Sequence, residues 1–205
     1  MTHTSLYTRL RIAPNPNTPA ATLTRLAADT CIRVRMQVAA NPNTPAATLT
    51  TLASDTDDGV RYQVAGNPNT PAATLTRLAA DADYEVRYQV AGNPSTPADT
   101  LTTLAADTDY SVRRRIARNP NTPTTVIQML TTDPSSFVAQ AATTIGRGNC
   151  LHRYATTLPE PQRGHAQLLI DAGFPGWPTE LATVLDSQGI APHPRNRRPQ
   201  RIHHW

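Results

Sequence analysis

Arginine recurs at Arg9, Arg35, Arg61, Arg87 and Arg113, one every 26 residues. Stacked at the spacing of packed helices, about 10 Å, such a column could hold a row of phosphates. However, the last four each follow an aspartate by six residues, pairing Asp29 with Arg35, Asp55 with Arg61, Asp81 with Arg87 and Asp107 with Arg113. A guanidinium fork suits a partly buried carboxylate, so these eight residues predict a structural ladder before they predict a binding site.

A second column reads Leu10, Met36, Tyr62, Tyr88 and Arg114, and beside it runs Arg11, Gln37, Gln63, Gln89 and Arg115. Apolar, aromatic and arginine side chains in a row have the composition of an interaction hot spot, although single exposed tyrosines are ordinary surface. Met36, Tyr62, Gln63, Tyr88, Gln89, Arg114, Arg115 and Arg118 are therefore the expected partner-binding residues. Arg113, Arg114, Arg115 and Arg118 also form a basic patch able to receive an acidic segment or a nucleic-acid backbone, with tyrosines available to stack on bases. Asp57, Asp58, Asp83, Glu85 and Asp109 interrupt any continuous phosphate track, and are expected at helix starts where they favour the dipole.

Catalysis finds little footing. His152, His165, His193, His203 and His204 cluster late, with Cys150 and Asp171 among them, but no spacing matches a zinc motif or a nucleophile elbow, and no glycine-rich phosphate loop is present. The two cysteines, Cys31 and Cys150, are too few for a disulfide framework or a metal cage, and Cys31 replaces the aspartate seen at Asp57, Asp83 and Asp109. No metal and no cofactor is expected. An enzyme with a site in residues 144–190 would require a polar pocket there.

Charge narrows the partners further. The chain has no lysine, and four of its 19 arginines (Arg195, Arg197, Arg198 and Arg201) lie in the last 11 residues. Residues 1–190 hold 15 arginines against 15 acids, so the pI near 9.5 describes a tail and not the body. The start is polar, and no apolar run approaches the roughly 18 residues of a membrane span. A soluble, cytoplasmic protein without membrane contact is expected.

The elements that must position these columns follow from the repeat. Asn-Pro returns at Asn15, Asn41, Asn67, Asn93 and Asn119, and a fixed period of this length means stacked supersecondary units. In the unit 67–92, Asn67-Pro68-Asn69 reads as a turn. Thr70 is placed to cap a helix and Pro71 to occupy its first position. That first helix runs to about Ala80, with Leu75 and Leu78 on its inner face. A second helix opens around Asp81 to Asp83 and runs to about Ala91, with Val86 and Val90 facing inward and Tyr88 nearly opposite at about 100° per residue. Gly66 and Gly92 suit a left-handed helix end. The reading is all-α: a leading capping helix over 1–14, about five hairpins over 15–143, a helical C-terminal cap over 144–190 with helices at 161–172 and 179–187, and a disordered basic tail over 191–205.

Asn-Pro-Asn-Thr-Pro, then Leu-x-x-Leu-Ala-x-Asp, then Val-Arg-x-x-Val-Ala resembles the leucine-rich repeat variant family, itself similar to short HEAT-like units, over residues 6–143. The resemblance implies a right-handed α-solenoid with the second helices on its concave face. It also implies an Asp–Arg ladder between successive units, and a function of binding. Members with an N-terminal iron–sulfur cluster carry cysteines that this sequence lacks. The expected function is a non-catalytic scaffold holding a protein or peptide along the second helices. The alternative is nucleic-acid binding through Arg113 to Arg118 and the tail.

Overall fold

A computed structural model describes residues 5–190 of the chain. The expected tail at 191–205, with His193, His203, His204 and its four arginines, lies outside the described residues. The chain divides into two compact units at Gly146/Arg147.

In the first unit, seven-residue first helices alternate with second helices, four of which run to nine residues. The first helices are α2 (Ala20–Leu26), α4 (Ala46–Leu52), α6 (Ala72–Leu78), α8 (Ala98–Leu104) and α10 (Thr124–Leu130). The second helices are α1 (Leu6–Ile12), α3 (Ile32–Ala40), α5 (Asp58–Gly66), α7 (Tyr84–Gly92), α9 (Tyr110–Arg118) and α11 (Ser136–Ala141). Seven-residue helices such as α4 are too short to persist alone in water, so tertiary packing must hold them. It does so through one leucine or isoleucine column (Leu23, Leu49, Leu75, Leu101 and Ile127) and one β-branched pair in each of α3, α5, α7 and α9 (Val34/Val38, Val60/Val64, Val86/Val90 and Val112/Ile116), all fully buried. Each such side chain contributes roughly 1.5–3 kcal/mol.

Successive second helices are in direct contact, whereas successive first helices approach one another sparsely. Threonine hydroxyls bridge that wider gap, Thr24 to Thr48, Thr50 to Thr74 and Thr76 to Thr100, at 2.8–3.0 Å. A stack with one layer spaced more closely curves with that layer inside. The second helices are therefore the inner layer.

Three local expectations change. Pro71 is the N-cap of α6, not its first helical residue, and no side chain caps that end. Thr70 instead turns back and donates its hydroxyl to the Val64 carbonyl at 2.6 Å, satisfying the preceding helix's C-terminus, as Thr44 does for Val38 and Thr96 for Val90. Gly66 and Gly92 close α5 and α7 inside the helix, and Asn67 and Asn93 follow in extended conformation. The value of glycine at these two positions is clearance: the side chains of Gln89 and Arg115 from the next unit lie across them. Among the described glycines, positive φ occurs at Gly173 and Gly189.

The repeated asparagine does more than turn the chain. Asn67 is buried and its Nδ2 donates to the carbonyls of Ala39 (2.7 Å), near the end of α3, and Asn41 (3.0 Å), at the start of the preceding unit, while its Oδ1 accepts the Asn69 N–H. Asn41, Asn93 and Asn119 repeat this pattern. Each thereby ties two units together and satisfies polar groups that burial would otherwise orphan.

The period ends where α11 widens into a π-helical turn, Ala142–Gly146. Gly146 closes it because a Cβ there would meet the Ala117 carbonyl oxygen at 2.8 Å. The second unit contains α12 (Arg147–Thr157), α13 (Gln162–Asp171) and α14 (Pro178–Ser187) around Leu151, Ala155, Ala166, Leu181 and Leu185. The helix α12 is not apparent in the sequence, since its buried side, Cys150, Leu151 and Ala155, offers one large apolar residue.

Candidate functional site

Each arginine of the first column reaches forward to the next unit. Arg35 Nε and Nη2 bond Asp55 at 2.6 and 2.9 Å, and Arg87 bonds Asp107 at 2.7 and 3.1 Å. The aspartate six residues earlier is met only through its backbone: Arg35 Nη1 donates to the Asp29 carbonyl, and Arg61 to that of Asp55, both at 2.9 Å. Arg9 on Asp29 and Arg113 on Asp133 extend the ladder at both ends. Asp133 continues the 26-residue column of Asp107, a signal present in the sequence.

Each ladder carboxylate also accepts the N–H two residues on, as Asp55 does from Asp57. Hydrogen bonds from Arg35 and Arg113 hold the Asp55 and Asp133 carboxyls below the ordinary carboxylate range. At Asp81 and Asp107 burial is the larger influence and pushes upward. The arginine fork, the neighbouring N–H and the flanking guanidinium charges together outweigh it, so both also titrate low. The carboxylate bonds correspondingly raise Arg35, Arg61, Arg87 and Arg113. With its donors committed in this way, the column has little left to offer a phosphate.

The inner layer presents a different face. Residues at i, i+3, i+4 and i+7 of each second helix point away from the valine stripe: Arg33, Met36, Gln37 and Ala40 on α3; Gly59, Tyr62, Gln63 and Gly66 on α5; Glu85, Tyr88, Gln89 and Gly92 on α7; Ser111, Arg114, Arg115 and Arg118 on α9. Tyr62, Gln63, Tyr88, Gln89, Arg114, Arg115 and Met36 are half-buried, and Arg118 is exposed. Three clefts lie along this face. One of about 510 Å³ is lined by Leu10, Arg33, Met36 and Gln63 among others. A second, about 220 Å³, gathers Met36, Tyr62, Asp58, Asp83 and Glu85. The third, about 210 Å³, is formed by Tyr88, Ser111, Arg114, Arg115 and Arg118. Arg115 lies over the Tyr88 ring, 5.2 Å from its centroid.

The aspartates at the helix starts are N-caps. Asp57 accepts the Val60 N–H at 3.2 Å, Asp83 that of Glu85 at 2.6 Å and Asp109 that of Ser111 at 2.7 Å. Cys31, in the same place, makes no side-chain cap bond. Three exposed aromatics of the array lie outside the expected binding residues: Tyr84 (46%), Tyr110 (47%) and Phe137 (59%). They stand at the helix starts, with Tyr110 and Phe137 rings 6.3 Å apart. Their place in the repeat was legible, but not that the helix N-terminus would leave them uncovered.

In the second unit His152 and His165 are exposed and Cys150 is buried. Among the described residues no group of three or more His, Cys, Asp or Glu side chains is placed to hold a metal ion. No helix among them is long and apolar enough to cross a membrane.

A regular two-layer stack of helical hairpins, tied by asparagine, threonine and Arg–Asp ladders, defines a helical-repeat solenoid of the scaffold type. Residues 32–57, 58–83 and 84–109 each match the family model described as leucine rich repeat variant. Among solved structures, the chain is similar to one described as a leucine-rich repeat variant with a novel repetitive protein structural motif, at 27% identity and a TM-score of 0.55, covering 84% of this chain and 67% of that one. A crystal structure of an engineered protein matches at 20% identity and a TM-score of 0.43 over 69% of this chain and 90% of its own. No curated protein matches the chain.

Proposed function

We propose that the array is a non-catalytic scaffold that holds a protein or peptide segment along the inner face of its second helices. The observation that carries this reading is the division of labour within each helix. Valines face the core and one arginine is committed to the ladder. The remaining face of α3, α5, α7 and α9 aligns Met36, Tyr62, Tyr88 and Arg114 beside Gln37, Gln63, Gln89 and Arg115. Tyrosine and arginine are among the side chains that most often dominate interface energy, and tyrosine supplies contact area at low conformational-entropy cost.

A nucleic-acid partner has weaker support. Arg113 is bound to Asp133, which reduces the basic patch to Arg114, Arg115 and Arg118, and Asp58, Asp83 and Glu85 line the adjoining cleft. The test is selection from a displayed random-peptide library against the full chain and against the Tyr62→Ala, Tyr88→Ala variant. The variant is expected to keep its helical circular dichroism and to lose the selected peptides by about 2–4 kcal/mol. Equal affinity for both proteins would remove this face as the site, and steeply salt-dependent capture of single-stranded DNA would favour the nucleic-acid reading.

A further inference from the structure

The inner face is not uniform in charge, and this sets the chemistry of what it takes. The cleft at Met36, Tyr62, Asp58, Asp83 and Glu85 carries three acids and no base, while the cleft at Tyr88, Ser111, Arg114, Arg115 and Arg118 carries three bases and no acid. Each has one tyrosine as an apolar wall. Among the described residues neither Arg114 nor Arg115 has a carboxylate partner, and the Arg115 Nε is buried without a hydrogen-bond partner. A buried donor in that condition is costly, and a charge beside it left unneutralised favours an incoming anion.

The acidic cleft runs from Met36 of α3 across α5 to Asp83 and Glu85 at the start of α7, and the basic cleft lies between α7 and α9, so Glu85 and Arg114 stand on adjacent second helices. Adjacent helices lie about 10 Å apart, which an extended chain spans in about three to four residues at roughly 3.3 Å each. We propose that the occupant is an extended peptide segment bearing one basic and one acidic side chain three to four residues apart, the cation seated among Asp58, Asp83 and Glu85 and the carboxylate among Arg114, Arg115 and Arg118. This rests on the reading of the inner face as the binding surface. Electrostatic complementarity then supplies register and polarity, while the tyrosines supply contact area.

The test uses the full chain and a panel of fluorescently labelled ten-residue peptides of equal aromatic content. One carries lysine and glutamate three residues apart, one has them adjacent, one has two lysines, and one has two glutamates. The spaced pair is expected to bind about tenfold or more tighter than the other three. Arg114→Glu should weaken that preference and Glu85→Arg should do likewise, because each lowers the net charge of its cleft from three to one, and the Arg114→Glu, Glu85→Arg double variant should lose it. Neither residue is part of the core or the ladder, and unchanged circular dichroism and urea midpoint verify the fold. Equal binding of all four peptides, still abolished by Tyr62→Ala with Tyr88→Ala, overturns the charge assignment and leaves the face standing. Binding that survives the tyrosine variant, or no binding by any peptide, overturns both. Tighter binding of the two-glutamate peptide, or its displacement by a single-stranded oligonucleotide, overturns the paired-charge occupant in favour of a polyanion.

Discussion

Arg61 closes a fork on Asp81, Nε to Oδ2 at 2.7 Å and Nη2 to Oδ1 at 3.0 Å, twenty residues further along the chain and one unit up the stack. Its remaining Nη1 holds the carbonyls of Asp55 and Thr56, so one side chain spans the junction between two units. Arg61→Met leaves the Asp81 carboxylate largely buried, with only its backbone partner, and should lower unfolding stability by about 2–4 kcal/mol, read from urea denaturation. Arg61→Lys should recover only part, because an ammonium cannot make both bonds of the fork.

Acid should weaken the array in a defined window. Asp55, Asp81, Asp107 and Asp133 titrate below their unfolded value in the folded chain, so under acid conditions the unfolded state binds more protons. Their stabilisation is complete above the unfolded carboxylate pKa of about 4 and is lost as pH falls through the lower folded values. Thermal midpoints should be flat with respect to these groups from pH 5 to 7, as an order-of-magnitude window, and should fall below about pH 4. The Asp81→Asn variant should show a shallower acid limb.

The asparagine ladder predicts a sharper penalty. Asn67→Asp replaces the two-donor amide facing the Ala39 and Asn41 carbonyls with an acceptor of the same shape. Buried repulsion between oxygens should cost at least as much as Asn67→Ala, on the order of 2–4 kcal/mol, and the gap should narrow as pH drops and the carboxyl protonates. Chemical denaturation at pH 7 and pH 4 checks both statements.

Cys31 marks a place where stability can be added. It is the N-cap of α3 with no side-chain bond, whereas Asp57, Asp83 and Asp109 cap the equivalent helices. Cys31→Asp should raise stability by about 0.5–1.5 kcal/mol, with the peptide-binding face unchanged. Cys31→Ala should be close to neutral, which separates capping from removal of a thiol.

Much of this molecule is legible in the chain alone, because its repeat period and its helical period are both local. Asn-Pro every 26 residues marks the units, Leu75 and Leu78 or Val86 and Val90 mark the inward faces, and the offset from valine to tyrosine places Tyr62 and Tyr88 on the opposite side of the second helix. What the period cannot carry is the partner of a side chain in a neighbouring unit, since that depends on how far one hairpin is offset from the next. Six residues separate Asp55 from Arg61 in sequence, yet stacking sends Arg61 to Asp81 and leaves Asp55 to Arg35. Stacking likewise turns Thr70 back to Val64, buries Asn67 against the carbonyl of Ala39, and lays Arg115 over Gly92. Composition names the residues available for polar contact. Only the rise from unit to unit decides which donor meets which acceptor, and which charges are left uncommitted on the inner face.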